Sequence, residues 1–184
     1  MKWSLLELTK YKKESISFDT SLDITDRLKQ KEAMILDAAP VKVKGTLTVE
    51  ADSYLLFYEV ETMLTLPSTR SLEPVRLPMV FQVDELFMTP EQFRANKDKI
   101  NEQEVLLLET QTLDLTESVV DNIVLAIPLQ VLTEEEQNGK DLPSGEGWKV
   151  LSEDEYESLI HEKQQQKIDP RLAKLSDFYS DENK

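Results

Sequence analysis

The residues of this chain best suited to gripping an anionic or carboxylate partner fall in its first half: Lys10, Lys12 and Lys13, then Lys42 and Lys44, then Arg70 and Arg76. Lys42 and Lys44 are two apart, a spacing that puts both on one face of a strand. Arg70 lies between Pro67 and Pro74. A loop arginine between two prolines is presented on a stiff stem, and its guanidinium can engage a phosphate or carboxylate through two parallel bonds. Lys42, Lys44, Arg70 and Arg76 are therefore the candidate binding residues, set against the plainer reading of such residues as a solvated face. Catalysis has no comparable candidate. The single histidine, His161, lies among Glu157, Glu162 and Lys163 with no serine placed against it, and a general base must be oriented and within reach of its substrate. The acidic run Glu153, Asp154, Glu155, Glu157 lacks the alternating ligands and turn glycine of a calcium loop. Gly145 and Gly147 read as a surface turn. Cysteine is absent, which removes thiol nucleophiles, Cys-ligated zinc and disulfides, and the four glycines include no phosphate-binding loop. The expectation is a protein with no catalytic residues, no metal and no cofactor.

The elements that must position these residues are legible from period and punctuation. Val41, Val43, Leu47 and Val49 alternate with Lys42, Lys44, Thr46 and Thr48, then Tyr54, Leu56, Tyr58, Val60, Leu64 and Leu66 share a side, then Val75, Leu77, Met79, Phe81 and Val83. Short Ile16–Asp19 and Val105–Glu109 segments can add strands. Tyr54, Phe57 and Tyr58 read as core residues rather than stacking platforms. Helix starts are written as capping boxes at Ser4/Glu7, running to Lys12 and Lys13, and at Thr89-Pro90-Glu91-Gln92, Asp114/Glu117 and Ser152/Glu155, with Trp3 placed to pack on Leu8. A last short helix is expected from Asp169-Pro170, with Leu172, Leu175 and Tyr179 on one side. Strands joined so closely are most simply antiparallel, so the fold class is α+β: an antiparallel sheet or partly closed barrel with helices packed on one side and an acidic helical tail.

The chain has 184 residues and a net charge of −15, unevenly spread. Residues 1–100 carry 14 Lys and Arg against 16 Asp and Glu, whereas residues 101–184 carry 7 against 20. Periodicity breaks from Thr133 to Trp148, which reads as a loop or linker. The expected division is a domain over residues 1–132 and an acidic tail over 133–184. No stretch has signal-peptide or membrane-span character, which predicts a soluble cytoplasmic protein. So acidic a chain is not expected to bind DNA or a membrane.

Gly45-Thr46-Leu47, the stretch from Leu64 through Pro67-Ser68-Thr69-Arg70-Ser71-Leu72-Glu73-Pro74-Val75, and Asp114 through Pro128 together resemble the YceD family of large ribosomal RNA subunit accumulation proteins. Leu142 through Trp148 and Ile168 through Ala173 resemble its Gram-positive version. The resemblance implies a non-enzymatic role in the synthesis, processing or stability of large-subunit ribosomal RNA. Many members carry a Cys-x-x-Cys pair where this chain has Ser68 and Ser71, and a serine hydroxyl is a poor zinc ligand beside a thiolate. Two readings follow. In one, Lys42, Lys44, Arg70 and Arg76 contact large-subunit ribosomal RNA. In the other, the acidic rear half makes the chain an adaptor for a basic ribosomal protein.

Overall fold

Alternation is strictest in β5 (Tyr54–Pro67), where every second residue from Tyr54 to Leu66 is buried while Leu55, Phe57, Glu59 and Glu61 are exposed. A two-residue period gives a strand one apolar and one wet face, and the partners of β5 repeat it. The structure is a computed structural model that describes residues 1–12, 14–96, 105–138, 144–151 and 153–166. β6 (Pro74–Met88) pairs antiparallel with β5 along its length, from Tyr54↔Phe87 to Pro67↔Pro74. β4 (Val41–Val49) pairs antiparallel on the other side, with β2 (Ser15–Leu22) beyond it and β3 (Asp37–Ala38) continuing the β4 flank of β5. β7 (Val105–Leu107) completes the order β2-β4-β5-β6-β7.

The α+β class is as the periodicity implies, and of its two forms the sheet takes the open one. One pair departs from the antiparallel expectation: β7 runs parallel to β6. The connection between them spans Thr89 to Glu104 and holds α3 (Pro90–Asn96), long enough for the crossover that a parallel pair requires. Thr89 and Gln92 form the expected reciprocal cap of α3, at 2.9 and 3.3 Å.

The inner face of the sheet is covered by α4 (Leu115–Leu125), which buries Leu115, Val119, Val120 and Ile123 at helical spacing. Its first turn is closed by three groups. Asp114 accepts from the Thr116 N–H at 3.1 Å, the Leu115 N–H donates to the Met1 carbonyl at 3.0 Å, and the Met1 ammonium donates to the Thr116 hydroxyl at 2.5 Å. Met1 is held there because β1 (Lys2–Ser4) pairs with β8 (Thr112–Asp114). That pairing also shortens the first helix. Ser4 belongs to β1 and makes no side-chain cap, so α1 covers only Leu5–Leu8 and passes into a 3-10 turn over Thr9–Tyr11. Trp3 is buried with its ring against Phe18, centroids 5.5 Å apart. α2 (Thr25–Lys31) has no sequence signature, because only Leu28 of its seven residues is buried.

The chain divides into two compact units, Met1–Leu132 and Thr133–Lys184. The described part of the second holds α5 (Glu134–Gln137), a hairpin of β9 (Ser144–Gly145) and β10 (Trp148–Lys149), and α6 (Glu153–Gln166). The unbroken loop expected over 133–148 is therefore corrected. Thr133 and Glu136 make a reciprocal capping box on α5, and Gly147 takes a φ of 88° in the hairpin turn. Lys13, Ser152 and the helix expected from Asp169-Pro170 lie outside the described residues. Among the described residues no helix is long and apolar enough to cross a membrane.

Candidate functional site

The register brings three of the four candidate residues to one surface. Lys42 and Lys44 of β4 and Arg76 of β6 all project from the outer, uncovered face of the sheet. Cross-strand neighbours then decide what that face presents. Lys42 stands opposite Glu61 and contacts both its carboxylate oxygens at 3.3 Å. Lys44 stands between Asp19 of β2 and Glu59 of β5, and Arg76 stands opposite Thr65, whose other neighbour is Asp37. The lysines lie in a checkerboard of charge rather than a basic patch. Exposed pairs of this kind contribute at most about 1 kcal/mol to stability. Their effect on an approaching phosphate is larger, because Lys42 and Lys44 each have a carboxylate as a cross-strand neighbour that offsets the attraction.

Between these rows the face is hollowed at Gly45, where a cavity of about 440 Å³ is lined by Lys44, Thr46, Phe57 and Glu59 among others. Phe57 projects into this open side and is 43% exposed, which corrects its assignment to the core; Tyr54 and Tyr58 are buried as expected. Strand parity alone separates them, since Phe57 is out of phase with its tyrosine neighbours.

Arg70 sits in the six-residue loop that joins β5 to β6, at the end of the sheet that also carries Arg76. The stiffness of this loop comes from its bonds more than from its prolines, which are themselves paired across β5 and β6. The Ser68 N–H donates to the Glu73 carbonyl at 2.7 Å and the Leu72 N–H to the Ser68 carbonyl at 3.1 Å. The Ser68 hydroxyl, fully buried, accepts from the N–H groups of Arg70 and Ser71 at 3.0 and 3.3 Å. Thr69 donates twice to the Val131 carbonyl, from N–H at 2.8 Å and from the hydroxyl at 3.0 Å. Closure this tight forces Leu72 to a φ of 65°, a left-handed conformation that costs a side-chain-bearing residue about 1–2 kcal/mol, while its side chain remains 74% exposed.

On the covered face, Asn122 donates to the Glu85 carboxylate at 2.6 Å and to the Tyr58 oxygen at 3.2 Å, and the Ser118 hydroxyl donates to the other Glu85 oxygen. Having used its proton there, Ser118 accepts from the Tyr58 hydroxyl at 2.6 Å. Burial pushes the Tyr58 hydroxyl well above its ordinary 10.0; the Ser118 bond opposes the shift and the charge of Glu85 adds to it. Glu85 also lines a groove of about 330 Å³ shared with Glu109, Asp114, Glu117 and Asp121. Asp114 is paired with Lys2 at 3.1 Å and Asp121 with Lys31, and among the described residues no cationic side chain lines the groove itself. This concentration of carboxylates is not visible along the sequence, because β6, β8, α4 and the loop between β7 and β8 each contribute to it. His161 is exposed on α6.

A sheet open on one side, with a pinned arginine loop at one end and a carboxylate-lined groove, is an α+β scaffold that offers surfaces for a partner. The chain belongs to the YceD family: the family described as large ribosomal RNA subunit accumulation protein matches residues 56–179. It is also similar to the uncharacterized protein YlbN of Bacillus subtilis (strain 168), 30% identical over 176 residues that cover 95% of this chain and 94% of that protein. No solved structure matches. The family thus connects the chain with large-subunit ribosomal RNA.

Proposed function

We propose that this chain is a non-enzymatic ribosome-biogenesis factor of the cytoplasm that supports the synthesis, processing or stability of large-subunit ribosomal RNA, and that it does so by binding a basic protein of the assembling subunit. The observation that carries the choice of partner is the pairing of Lys42 with Glu61 and the placing of Lys44 between Asp19 and Glu59. A phosphate chain meets no unbalanced positive surface there. The groove of Glu85, Glu109 and Glu117 favours the same partner, as does the charge of Met1–Leu132, 14 Lys and Arg against 22 Asp and Glu. Acidic surface attracts basic partners and repels nucleic acid. The domain over residues 1–132 and the acidic tail over 133–184 share this sign of charge.

A second reading, direct contact with the RNA, is favoured by Phe57: an exposed aromatic ring beside Lys44 on an open sheet can stack on a base. In that reading Lys42, Lys44, Arg70 and Arg76 hold the phosphates. Replacing all four with glutamine separates the two. If they hold single-stranded RNA, the salt dependence of binding becomes shallower by about 0.7 in slope for each phosphate no longer neutralised. If the partner is a basic protein, purified large-subunit RNA does not bind measurably, the four substitutions do little, and crosslinking in cells recovers a protein. Tight, salt-sensitive binding of the purified RNA that the four substitutions abolish would reject the adaptor.

A further inference from the structure

Strand β6 is flanked along its length on one side only. β5 pairs with it from Pro74 to Phe87, whereas β7 reaches only Leu86, Phe87 and Met88. The bonds around it fix which backbone groups face the open side. The Met63 and Thr65 carbonyls accept from the Ala39 and Leu36 N–H groups, on the β3 flank, so the alternate residues of β5, Leu64 and Leu66, are the ones that bond to β6. The register then turns Leu77 and Val75 toward β5 and leaves Arg76, Pro78, Val80, Gln82 and Asp84 facing outward. They are in phase with Met88, whose carbonyl accepts from Leu108 on the β7 side. Pro78 fits this phase, since proline is tolerated within a strand where its missing N–H would point out of the sheet. Among the described residues nothing bonds to the outward backbone groups from Arg76 to Asp84.

An open edge of this length is a template for another strand, and the side chains say which. Those of the same five residues are exposed on the outer face of the sheet, Val80 to 66%. Unlike Lys42 and Lys44, the two charged ones have no charge across the ladder: Arg76 stands opposite Thr65 and Asp84 opposite Phe57. Arg76 and Asp84 are also equally far from Val80 along the strand. Antiparallel pairing of β6 with β6 of a second copy, about a two-fold axis at Val80, therefore sets Arg76 of each copy against Asp84 of the other, Pro78 against Gln82, and Val80 against itself. All these pairs are of the hydrogen-bonded kind, and all but Pro78 with Gln82 can exchange both bonds. On the inner face the half-buried Leu77 and Phe81 meet Val83 and Met79 of the other copy. Moving the axis by one residue sets Arg76 against Gln82 or Leu86 and loses the match. The opposite edge of the sheet, β2, has Asp19 as its only charged side chain, so no register of β2 with itself balances it. We propose that the free edge of β6 is a self-association site, where two copies of the chain join their sheets through a β6–β6 pair centred on Val80. The net charge of −15 on each chain opposes their approach, so the backbone ladder and the paired Arg76–Asp84 contacts must carry the association, and dimer and monomer are in equilibrium. This inference is independent of whether the partner is a protein or an RNA.

Sedimentation equilibrium of the full chain is expected to show a concentration-dependent dimer. Arg76→Asp and Asp84→Arg each turn both attractive contacts into repulsive ones, and each should weaken the dimer at least about tenfold. Mixed together the two variants are complementary again, so the mixture should form a heterodimer about as tight as the wild-type dimer, and the double variant Arg76→Asp/Asp84→Arg should recover self-association. Val80→Pro removes the central bonds between copies and, like Pro78, none to β5. It should abolish the dimer with the circular dichroism unchanged. A chain that sediments as a monomer at every concentration would overturn the proposal. So would a dimer that the single reversals or Val80→Pro leave intact, and so would a mixture that fails to recover what its two components lost.

Discussion

Replacing Gly45 with alanine is expected to destabilise the Met1–Leu132 unit by about 2 kcal/mol, a value assembled from overpacking, weakened ladder bonding and a small entropic return. A methyl group built at this position lies 2.1 Å from the Phe57 carbonyl oxygen, 2.6 Å from the Tyr58 Cβ and 2.7 Å from the Tyr58 Cα. Two of these atoms are backbone of the neighbouring strand, so no rotamer change can make room. Strands β4 and β5 must part by roughly an ångström to restore ordinary contact distances. Tyr58 cannot follow freely, because its hydroxyl is tied to Ser118 and Asn122 on α4. Overpacking of this kind costs about 1–3 kcal/mol, and a stretched ladder bond adds about 1. The restriction of the unfolded chain returns about 0.4–1 kcal/mol. Urea unfolding read through Trp3, which packs on the Phe18 paired with Gly45, should show a lower midpoint at unchanged slope. The corresponding fall in melting temperature is roughly 5–10 °C for a unit of this size. A change smaller than about 0.5 kcal/mol, the ordinary surface range, or any stabilisation, would show that the glycine is not needed for the close approach of the strands.

Tyr58→Phe should cost about 1 kcal/mol at neutral pH through removal of the Ser118 bond. Because the folded state raises the Tyr58 pKa, its contribution is fully present below pH 10 and is lost above it by up to about 1.4 kcal/mol per pH unit, so the stability gap between wild type and variant should shrink on the alkaline side; a gap constant across that range would contradict the buried-hydroxyl account. Leu72→Gly should raise thermal stability by about 0.5–1 kcal/mol, since the relief of a left-handed leucine exceeds the added freedom of the unfolded chain and the exposed side chain takes no packing with it; a fall in melting temperature would mean that the leucine is held by contacts of its own. A chain ending at Leu132 should unfold in one cooperative transition, as expected of a self-sufficient domain, and non-coincident unfolding followed by fluorescence and by circular dichroism would count against the division.

Strand content and helix starts were readable because they depend on neighbours in sequence. The alternation of Val41 through Val49 and of Tyr54 through Leu66 can be satisfied only by strands with one buried face, whatever packs on it. The Thr89/Gln92 box and the Asp114 cap work within a single turn. Where a tertiary partner intervened, the local signal was overridden. Ser4 carries the letters of a cap, yet β8 recruits it into a strand and α1 is cut to four residues. α2 and α5 carry too few apolar residues to set a period.

The candidate site divides along the same line. Residue types alone singled out Arg70 and its loop as a candidate, and the absence of cysteine excluded thiol and Cys-ligated metal chemistry. They also gave the direction of the charge asymmetry. What the lysines face was beyond reach of the sequence, because Lys42 and Glu61 are 19 residues apart and meet only through the β4–β5 register. The carboxylates of the groove likewise come from separate elements, and Phe57 and Tyr58 differ only in which side of one strand they take. Local chemistry is written in neighbouring letters, whereas the sign of the field at a surface is a sum over residues that register and packing bring together.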